Sequence, residues 1–195
     1  VIEPFQIISQ LNLPDNGDVI NILANEEQKN LFEKIQVLSN SIKEISSVYN
    51  GVKPFEKGKG KPSQTAEIMQ TKPFVAENQP KPKGENWRPL LRGSLMNRYL
   101  NNWNNNSWID YGEWLAAPRN LKIWEAEEKI IVRQTGDRII ATIIERNIIA
   151  RDNLHIVISN KLDHKFILGI LNSKLTDFYY QQINPERGEA LAQVK

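Results

Sequence analysis

The chain contains no cysteine and only two histidines, His155 and His164, among its 195 residues. Without cysteine it can form neither disulfides nor thiolate metal sites, and a reducing compartment such as the cytoplasm is the simplest expectation. The two histidines have no clustered acids beside them, so we expect no zinc site and no other metal site. His155 falls in an apolar run, which is typical of a histidine packed in a protein core.

Long apolar runs are also missing. No stretch reaches the roughly 20 residues that a membrane-spanning helix needs, and the amino terminus lacks the basic and apolar regions of a signal peptide. We therefore expect no membrane partner. Apolar residues make up 40% of the chain and charged residues 25%, which is a globular composition. Because the chain begins at Val1 and stops at Lys195, we expect a piece of a longer protein, truncated at its carboxyl end.

Positive charge is unevenly distributed, although the net charge is only +2. Residues 1–50 carry three lysines and seven acids, whereas residues 51–98 carry ten lysines and arginines against four glutamates. Residues 99–195 hold twelve residues of each sign. A basic region confined to one quarter of the chain favours a polyanionic partner more strongly than the total charge does.

An amphipathic helix is predicted near the amino terminus. Asn25 is a suitable N-cap, and Gln28 stands three positions later, as in a capping box. Apolar residues then recur at spacings of one, three and four from Leu31 to Ile45, which predicts a helix of about five to six turns. We expect residues 1–46 to form a connector that contains this long helix.

Residues 47–195 are expected to form the main unit. Glycine and proline recur through residues 51–86, which predicts long loops between short strands. An asparagine-rich stretch at residues 101–106 predicts another loop.

Strands and a final helix are predicted for the second half of the chain. β-Branched residues are concentrated in three runs separated by turn residues, at 129–133, 138–144 and 153–158. These runs predict three strands of a sheet or barrel. Asp163 is expected to cap a final amphipathic helix that reaches Tyr179. The predicted fold class is therefore α+β: an irregular β-rich body, as a mixed sheet or partial barrel, with an amphipathic helix at each end.

The first candidate DNA-binding group is a segment of alternating lysine and glycine. Lys57, Lys59 and Lys61 alternate with Gly58 and Gly60, so three ammonium groups lie on a backbone with little side-chain bulk. Such a loop can follow a phosphate backbone closely, and each lysine can displace a counterion. A solvated, flexible loop is the open alternative. The segment is not a P-loop, because no Gly-Lys-Ser/Thr follows it.

The second candidate group stands at the ends of apolar runs and consists of Arg92, Arg98, Arg133, Gln134 and Arg138. Guanidinium groups suit both phosphate binding and bidentate contacts with guanine. The last three flank a predicted turn at residues 135–137, so they can project from one end of a strand. The alternative is surface ion pairing of these arginines with Glu127, Glu128 or Asp137.

Catalytic patterns are weak, and no catalytic residue is expected in this chain. Asp15, Glu27 and Lys29 fit the loose pattern of a metal-dependent nuclease, in which two carboxylates bind Mg²⁺ and a lysine assists the attacking water. That chemistry needs the second carboxylate on a strand beside the first, whereas Glu27 opens the predicted helix. A nuclease is therefore the third hypothesis, after DNA recognition and a protein-interaction module.

Six short segments, in a fixed order, resemble a known family. They are YNGVKP at 49–54, RPLLRG at 88–93, NRY at 97–99, LKIWE at 121–125, KIIVR at 129–133 and FILGILNSKL at 166–175. Together they resemble the TaqI-like carboxy-terminal specificity domain of restriction–modification enzymes, over roughly residues 47–195. Such a domain is the target recognition domain of adenine-specific DNA methyltransferases and of fused methyltransferase–endonucleases.

The resemblance implies sequence-specific binding of double-stranded DNA, with catalysis supplied by an upstream methyltransferase domain of the same polypeptide. The chain has no Pro-Pro pair for the adenine-methylation motif and no glycine-rich strand–loop for S-adenosylmethionine. No cofactor is therefore implied here, whereas S-adenosylmethionine, and Mg²⁺ where the enzyme also cuts DNA, are implied for the parent protein. The alternative function is a protein-interaction or structural module of a multi-subunit complex.

Overall fold

The computed structural model describes residues 25–184, which form three β-sheets and have helices at both ends of the described chain. The helices are α1 (Glu26–Leu38), α2 (Ile42–Ile45), α3 (Ala66–Thr71), α4 (Leu121–Glu125), α5 (His164–Leu171) and α6 (Lys174–Ile183). The strands are β1 (Ser47–Asn50), β2 (Val75–Glu77), β3 (Trp87–Leu91), β4 (Met96–Asn97), β5 (Leu100–Asn101), β6 (Ser107–Asp110), β7 (Glu128–Arg133), β8 (Ala141–Glu145), β9 (Ile149–Ala150) and β10 (Leu154–Ile158). The predicted α+β class is confirmed, with open mixed and antiparallel sheets and no closed barrel within the described residues.

The amino-terminal helix begins where the sequence predicts but is divided in two. Asn25 and Gln28 form the expected capping box, in which the Gln28 backbone N–H donates to Asn25 Oδ1 at 2.9 Å. α1 ends at Leu38, and Ser41 caps α2 with a capping box of its own. The prediction of one helix of five to six turns was therefore wrong. Serine side chains compete for backbone hydrogen bonds, and those at residues 39–41 separate the two helices.

The first sheet has the strand order β1-β10-β7-β8, and every neighbouring pair is antiparallel. β7, β8 and β10 correspond to the three predicted β-branched runs and lie side by side. Ile131 pairs in register with Ile156, and Ile130 pairs with Val157. Because successive residues point to opposite faces, both faces of these strands are apolar and buried.

The second sheet is mixed and has the order β2-β6-β3-β9. β2 and β3 each pair antiparallel with β6, whereas β3 and β9 are parallel. Leu90 and Ile109 of this sheet belong to the same buried cluster as Ile131 and Ile156 of the first sheet. The main core therefore lies between the two sheets.

A second apolar cluster covers the other face of the first sheet. Ile130 and Val157 pack there against Ile167 of α5 and Tyr180 of α6. The described chain thus has three layers: the second sheet, the first sheet and the carboxyl-terminal helices.

The carboxyl-terminal helix also begins at its predicted N-cap. Asp163 accepts hydrogen bonds from the backbone N–H groups of Lys165 and Phe166. α5 nevertheless ends at Leu171, and Ser173 caps α6, so the prediction of a single helix was wrong. The cause is Asn172, whose side-chain amide bonds the backbone of β8 and breaks the helical path.

Lys129 is a fully buried lysine inside β7. Its Nζ donates to the backbone carbonyls of Trp124, Ala126 and Glu145 at 3.3, 3.2 and 2.9 Å. Burial, and then the charge of Arg146, lower the pKa of Lys129 to about 8. This lysine connects α4 to the end of β8 and is not presented to a ligand.

The first strand of the first sheet, β1, begins at Ser47 and pairs with β10. α1 contacts α6 through Phe32 and Tyr179, whose rings stack with centroids 5.3 Å apart. The division into residues 1–46 and 47–195 stays a prediction. None of the helices between residues 25 and 184 is long and apolar enough to cross a membrane.

Candidate nucleic-acid interface

Three strands of the second sheet end at one edge, and each ends at a charged residue. β2 and β3 run in the same direction because both are antiparallel to β6, and β9 is parallel to β3. Glu77 is the last residue of β2, Arg92 follows β3 and Arg151 follows β9. We call these three residues the edge triad. The sheet topology brings them together from positions far apart in the chain.

The edge triad is joined by two ion pairs. One oxygen of Glu77 pairs with Arg92, and the other lies 3.1 Å from a terminal nitrogen of Arg151. The Arg151 backbone N–H donates to the Leu91 carbonyl at 2.9 Å, which fixes the two strand ends together. The three side chains are 23–31% exposed, so they are anchored yet reachable from solvent.

Gly93 brings Arg133 next to the edge triad. A Cβ at Gly93 would lie 3.2 Å from Cγ and Cδ of Arg133 and 3.2 Å from Nδ2 of Asn153. The aliphatic part of the Arg133 side chain therefore crosses the backbone at Gly93, directly after Arg92. Any side chain at position 93 would crowd Arg133. The Arg133 Nε donates to the Thr135 carbonyl at 2.8 Å. Two sequence-predicted residues, Arg92 and Arg133, thus meet at this glycine.

Gln134 and Arg138 stand at the same end of the β7–β8 hairpin as Arg133. The Gln134 backbone N–H donates to the Asn153 carbonyl at 3.1 Å, and its side chain is partly exposed. Arg138 is exposed, with its Nε 3.5 Å from an Asp137 carboxylate oxygen. An exposed pair at this distance contributes little to stability, so the Arg138 guanidinium can exchange partners.

Arg98 is bound by two other parts of the fold. It lies between β4 and β5, its Nε donates to the Ile139 carbonyl at 3.0 Å, and its terminal nitrogen pairs with the Asp177 carboxylate on α6. The two side chains are 27% and 18% exposed. The geometry makes Arg98 a link between the β4–β5 hairpin and α6, and its hydrogen bonds do not connect it with the edge triad.

All three lysines of the basic segment are exposed: Lys57, Lys59 and Lys61. We call residues 57–61 the lysine loop. Its backbone is firmly held, because the buried Gln64 donates from Nε2 to the carbonyls of Pro54 and Trp114, both at 2.8 Å. The Gln64 backbone N–H also donates to the carbonyl of residue 59 at 2.8 Å. The loop therefore presents exposed lysine side chains on an anchored backbone.

Glycine is required within the lysine loop. Gly60 has φ +83°, and a Cβ there would lie 2.3 Å from the Trp114 carbonyl oxygen. The charge of the loop acts on its neighbours, since the pKa of Glu56 is lowered by its hydrogen bond and ion pair with Lys53 and also by Lys59.

Lys81 is a further exposed cation that the sequence analysis did not select. It lies in the β2–β3 connection, with Nζ 5.8 Å from the ring centroid of Trp108. Trp108 is itself held by an edge-on contact with Trp103, with ring centroids 5.1 Å apart. The alternation of Lys81 and Lys83 around a proline repeats the spacing of the lysine loop and could have signalled it.

The other end of the β7–β8 hairpin is acidic. Glu127, Glu128 and Glu145 line an open depression of about 680 Å³, together with Arg146 and His164. Glu128 and Arg133 are the first and last residues of β7, so at about 3.3 Å per residue roughly 17 Å separate them. The hairpin is therefore polarised, and a polyanion is favoured at its arginine end.

The described residues do not form the arrangement of carboxylates and lysine that the nuclease hypothesis needs. Glu27 lies in α1, as expected, and not on a strand, and Lys29 pairs with Glu26 at 3.0 Å. Asp15 lies outside the described residues. No group of three or more histidine, aspartate or glutamate side chains between residues 25 and 184 could hold a metal ion.

Sequence reasoning missed Glu77, Arg151 and Asn153. Each stands singly between apolar or turn residues, and no local pattern marks it. Only the sheet order brings Glu77 to Arg151, 74 positions away.

Comparison with known proteins identifies the family. A search of curated proteins found no match. A model of the TaqI-like C-terminal specificity domain matches residues 88–195, which is more than half of the chain and includes Arg92, Arg133 and Arg151. The six resembling segments begin earlier, at Tyr49. This family points to a DNA-recognition role in restriction–modification enzymes. The chain belongs to the TaqI-like C-terminal specificity domain family.

Proposed function

We propose that this chain is the target recognition domain of a restriction–modification enzyme whose catalytic half methylates adenine at a specific DNA site. The observation that carries the proposal is that Arg92 and Arg151 share Glu77 at one sheet edge, and that Arg133 of the first sheet crosses Gly93, directly after Arg92. Cations fixed at the ends of strands suit a polyanion that runs across them. Family membership supports DNA as that polyanion.

The roles of the cations follow from their exposure and anchoring. Exposed lysines on held loops, namely Lys57, Lys59, Lys61 and Lys81, contact phosphates and displace counterions. Arg133, Gln134 and Arg138 at the hairpin end approach base edges, because guanidinium and amide groups form bidentate contacts with guanine and adenine. Arg98, which the sequence placed among the DNA-binding candidates, is assigned instead to holding the fold.

An upstream methyltransferase domain of the same polypeptide completes the proposed enzyme. That domain holds S-adenosylmethionine, and Mg²⁺ where the enzyme also cleaves DNA. The chain described here binds the duplex on the side opposite the methyltransferase domain while the target adenine leaves the base stack.

A salt titration tests DNA recognition directly. We expect the association constant of the chain for labelled duplex DNA, measured by fluorescence anisotropy, to fall linearly with salt on logarithmic axes. Replacing Lys57 and Lys59 together by alanine should reduce the slope by about two. The matched control replaces Lys122 and Lys165, exposed lysines on α4 and α5, and should leave the slope unchanged.

Base reading by Arg133 is tested with sequences selected from a random duplex pool by the unmodified chain. Arg133→Ala should weaken binding of selected sequences by about 1–3 kcal/mol more than binding of random ones. Equal losses on all sequences would assign Arg133 to phosphates.

The second candidate function is a protein-interaction module, and a specific surface favours it. Phe166 and Ile170, one helical turn apart on α5, are 58% and 50% exposed. Exposed apolar patches of this kind often bind proteins. A chain that shows no salt-dependent DNA binding would support this module and contradict DNA recognition.

A further inference from the structure

Glu77 shares a single carboxylate between two arginines. One oxygen pairs with Arg92, and the other accepts a hydrogen bond from Arg151 at 3.1 Å. Glu77 is held in place by β2, where it pairs in register with Ser107. The carboxylate therefore sets the distance and orientation between the two guanidinium groups.

Most of the hydrogen-bonding capacity of the two arginines is unused within the described residues. A guanidinium has five N–H donors, whereas Arg92 and Arg151 each donate one side-chain hydrogen bond, both to Glu77. The buried Nε of Arg92 has no partner among the described residues, and the Nε of Arg151 lies 3.6 Å from Asp152. A triad that served stability alone would be expected to use more of these donors.

The charge around the edge triad matches one phosphate. Asp152 lies beside Arg151, with its carboxylate 3.6 Å from Nε, and Arg133 crosses Gly93 on the adjacent side. Counted together, three guanidinium groups and two carboxylates leave a single positive charge, and a phosphodiester carries a single negative charge. An anion that bridges the terminal N–H groups of both arginines would use donors that Glu77 leaves free.

We propose that Glu77 is a positioning residue that holds Arg92 and Arg151 as a two-armed clamp for one phosphate of the DNA backbone. This inference rests on the proposed function. It adds Arg151 to the DNA contacts and assigns an acidic residue a role in binding a polyanion. Without Glu77 the two like charges repel each other, and the arms lose their common orientation.

A charge-neutral double variant separates the clamp from simple electrostatics. Glu77→Gln combined with Arg151→Gln keeps the net charge but removes one arm. We expect the affinity for random-sequence duplex DNA to fall by about tenfold with the salt slope unchanged, because Arg92 still neutralises the phosphate but the second arm is lost. The matched control is Glu127→Gln with Arg146→Gln, an ion pair at the acidic end of the hairpin, and its affinity should equal that of the unmodified chain. Affinities equal to that of the unmodified chain in both double variants would overturn the clamp and leave the proposed function standing.

Positioning by Glu77 is tested by a pair of single variants with the same charge change. Glu77→Gln and Glu128→Gln each remove one negative charge, and Glu128 lies at the far end of β7. We expect Glu77→Gln to bind duplex DNA about tenfold more weakly than Glu128→Gln. Equal affinities would show that Glu77 does not position the arms.

Two controls keep these outcomes distinguishable. Circular dichroism verifies that each variant is folded, and Arg151→Lys replaces the double variant if the latter unfolds. Arg151→Lys keeps the charge and loses the planar fork, so affinity should fall by about tenfold with the slope unchanged. Affinity equal to that of the unmodified chain would overturn the clamp. If the unmodified chain shows no salt-dependent binding to DNA, the proposed function fails and the clamp fails with it.

Discussion

The side-chain amide of Asn172 pairs with the backbone of Ala141 in both directions. Asn172 Oδ1 accepts from the Ala141 N–H at 3.0 Å, and Asn172 Nδ2 donates to the Ala141 carbonyl at 2.9 Å. Asn172 is 5% exposed, so these bonds are shielded from water. The amide imitates a neighbouring strand at the edge of the first sheet and fixes the α5–α6 corner against β8.

Removal of this amide should destabilise the fold. Asn172→Ala leaves the Ala141 N–H buried and unpaired, whereas the Ala141 carbonyl keeps a hydrogen bond from the Tyr99 N–H at 2.9 Å. We expect a loss of about 1–3 kcal/mol in the free energy of unfolding, measured by urea denaturation. Asn160→Ala, at an exposed position before α5, is the control and should change stability by less than about 0.5 kcal/mol. Similar values for both variants would contradict the bridging role.

The buried Lys129 should make stability depend on pH. Its pKa is about 8 in the folded chain and 10.5 when unperturbed, so between these values the unfolded chain binds more protons than the folded chain. The contribution of Lys129 to stability therefore rises with pH through this window and is least favourable below pH 8. We expect the stability of the unmodified chain, relative to Lys129→Met, to increase by up to about 3 kcal/mol from pH 8 to pH 10.5. A difference that stays constant across chemical denaturation curves at these pH values would contradict the lowered pKa.

Replacing each of two glycines by alanine should change the stability of the fold in opposite directions. A Cβ at Gly51 would lie 2.0 Å from the backbone oxygen of Arg151, so the β1–β9 region must shift. We expect Gly51→Ala to cost more than about 3 kcal/mol. Gly169, inside α5, has no atom within 4 Å of such a Cβ. Gly169→Ala should stabilise the chain by about 0.5–1 kcal/mol, because alanine favours the helix. Thermal denaturation of both variants checks the two signs.

Arg98 should matter for folding and not for DNA. Arg98→Ala removes the bonds to Ile139 and Asp177, and it leaves the partly buried Asp177 carboxylate without its ion pair. We expect a loss of about 1–3 kcal/mol in stability, with the salt slope of DNA binding unchanged. A salt slope of DNA binding that is lower by about one would show that Arg98 contacts a phosphate.

Local signals in the sequence were sufficient for the starts of the terminal helices and for three of the four strands of the first sheet. Asn25 and Asp163 cap α1 and α5 as predicted, because a capping side chain bonds backbone groups only two or three positions away. The run at 129–133 forms a strand because β-branched residues fit a pleated surface that is buried on both faces. Helix ends were predicted less well. The stripe of apolar residues continues past Leu38 and Leu171, so it does not mark where α1 and α5 end. The polar residues that follow each helix end it through hydrogen bonds that the apolar pattern does not reveal.

The sequence alone determined which charged residues the candidate DNA surface contains. The tertiary structure determined how those residues are arranged. The sequence determined that residues 51–98 are basic and that the three lysines of the lysine loop are presented on glycines. Only the folded chain decided that Arg98 is held by Asp177, and that Glu77 orients Arg92 and Arg151 from 15 and 74 positions away. The physical reason is that the order of strands follows from the burial of apolar faces across the whole chain. No short window of sequence contains both partners of a contact made in this way.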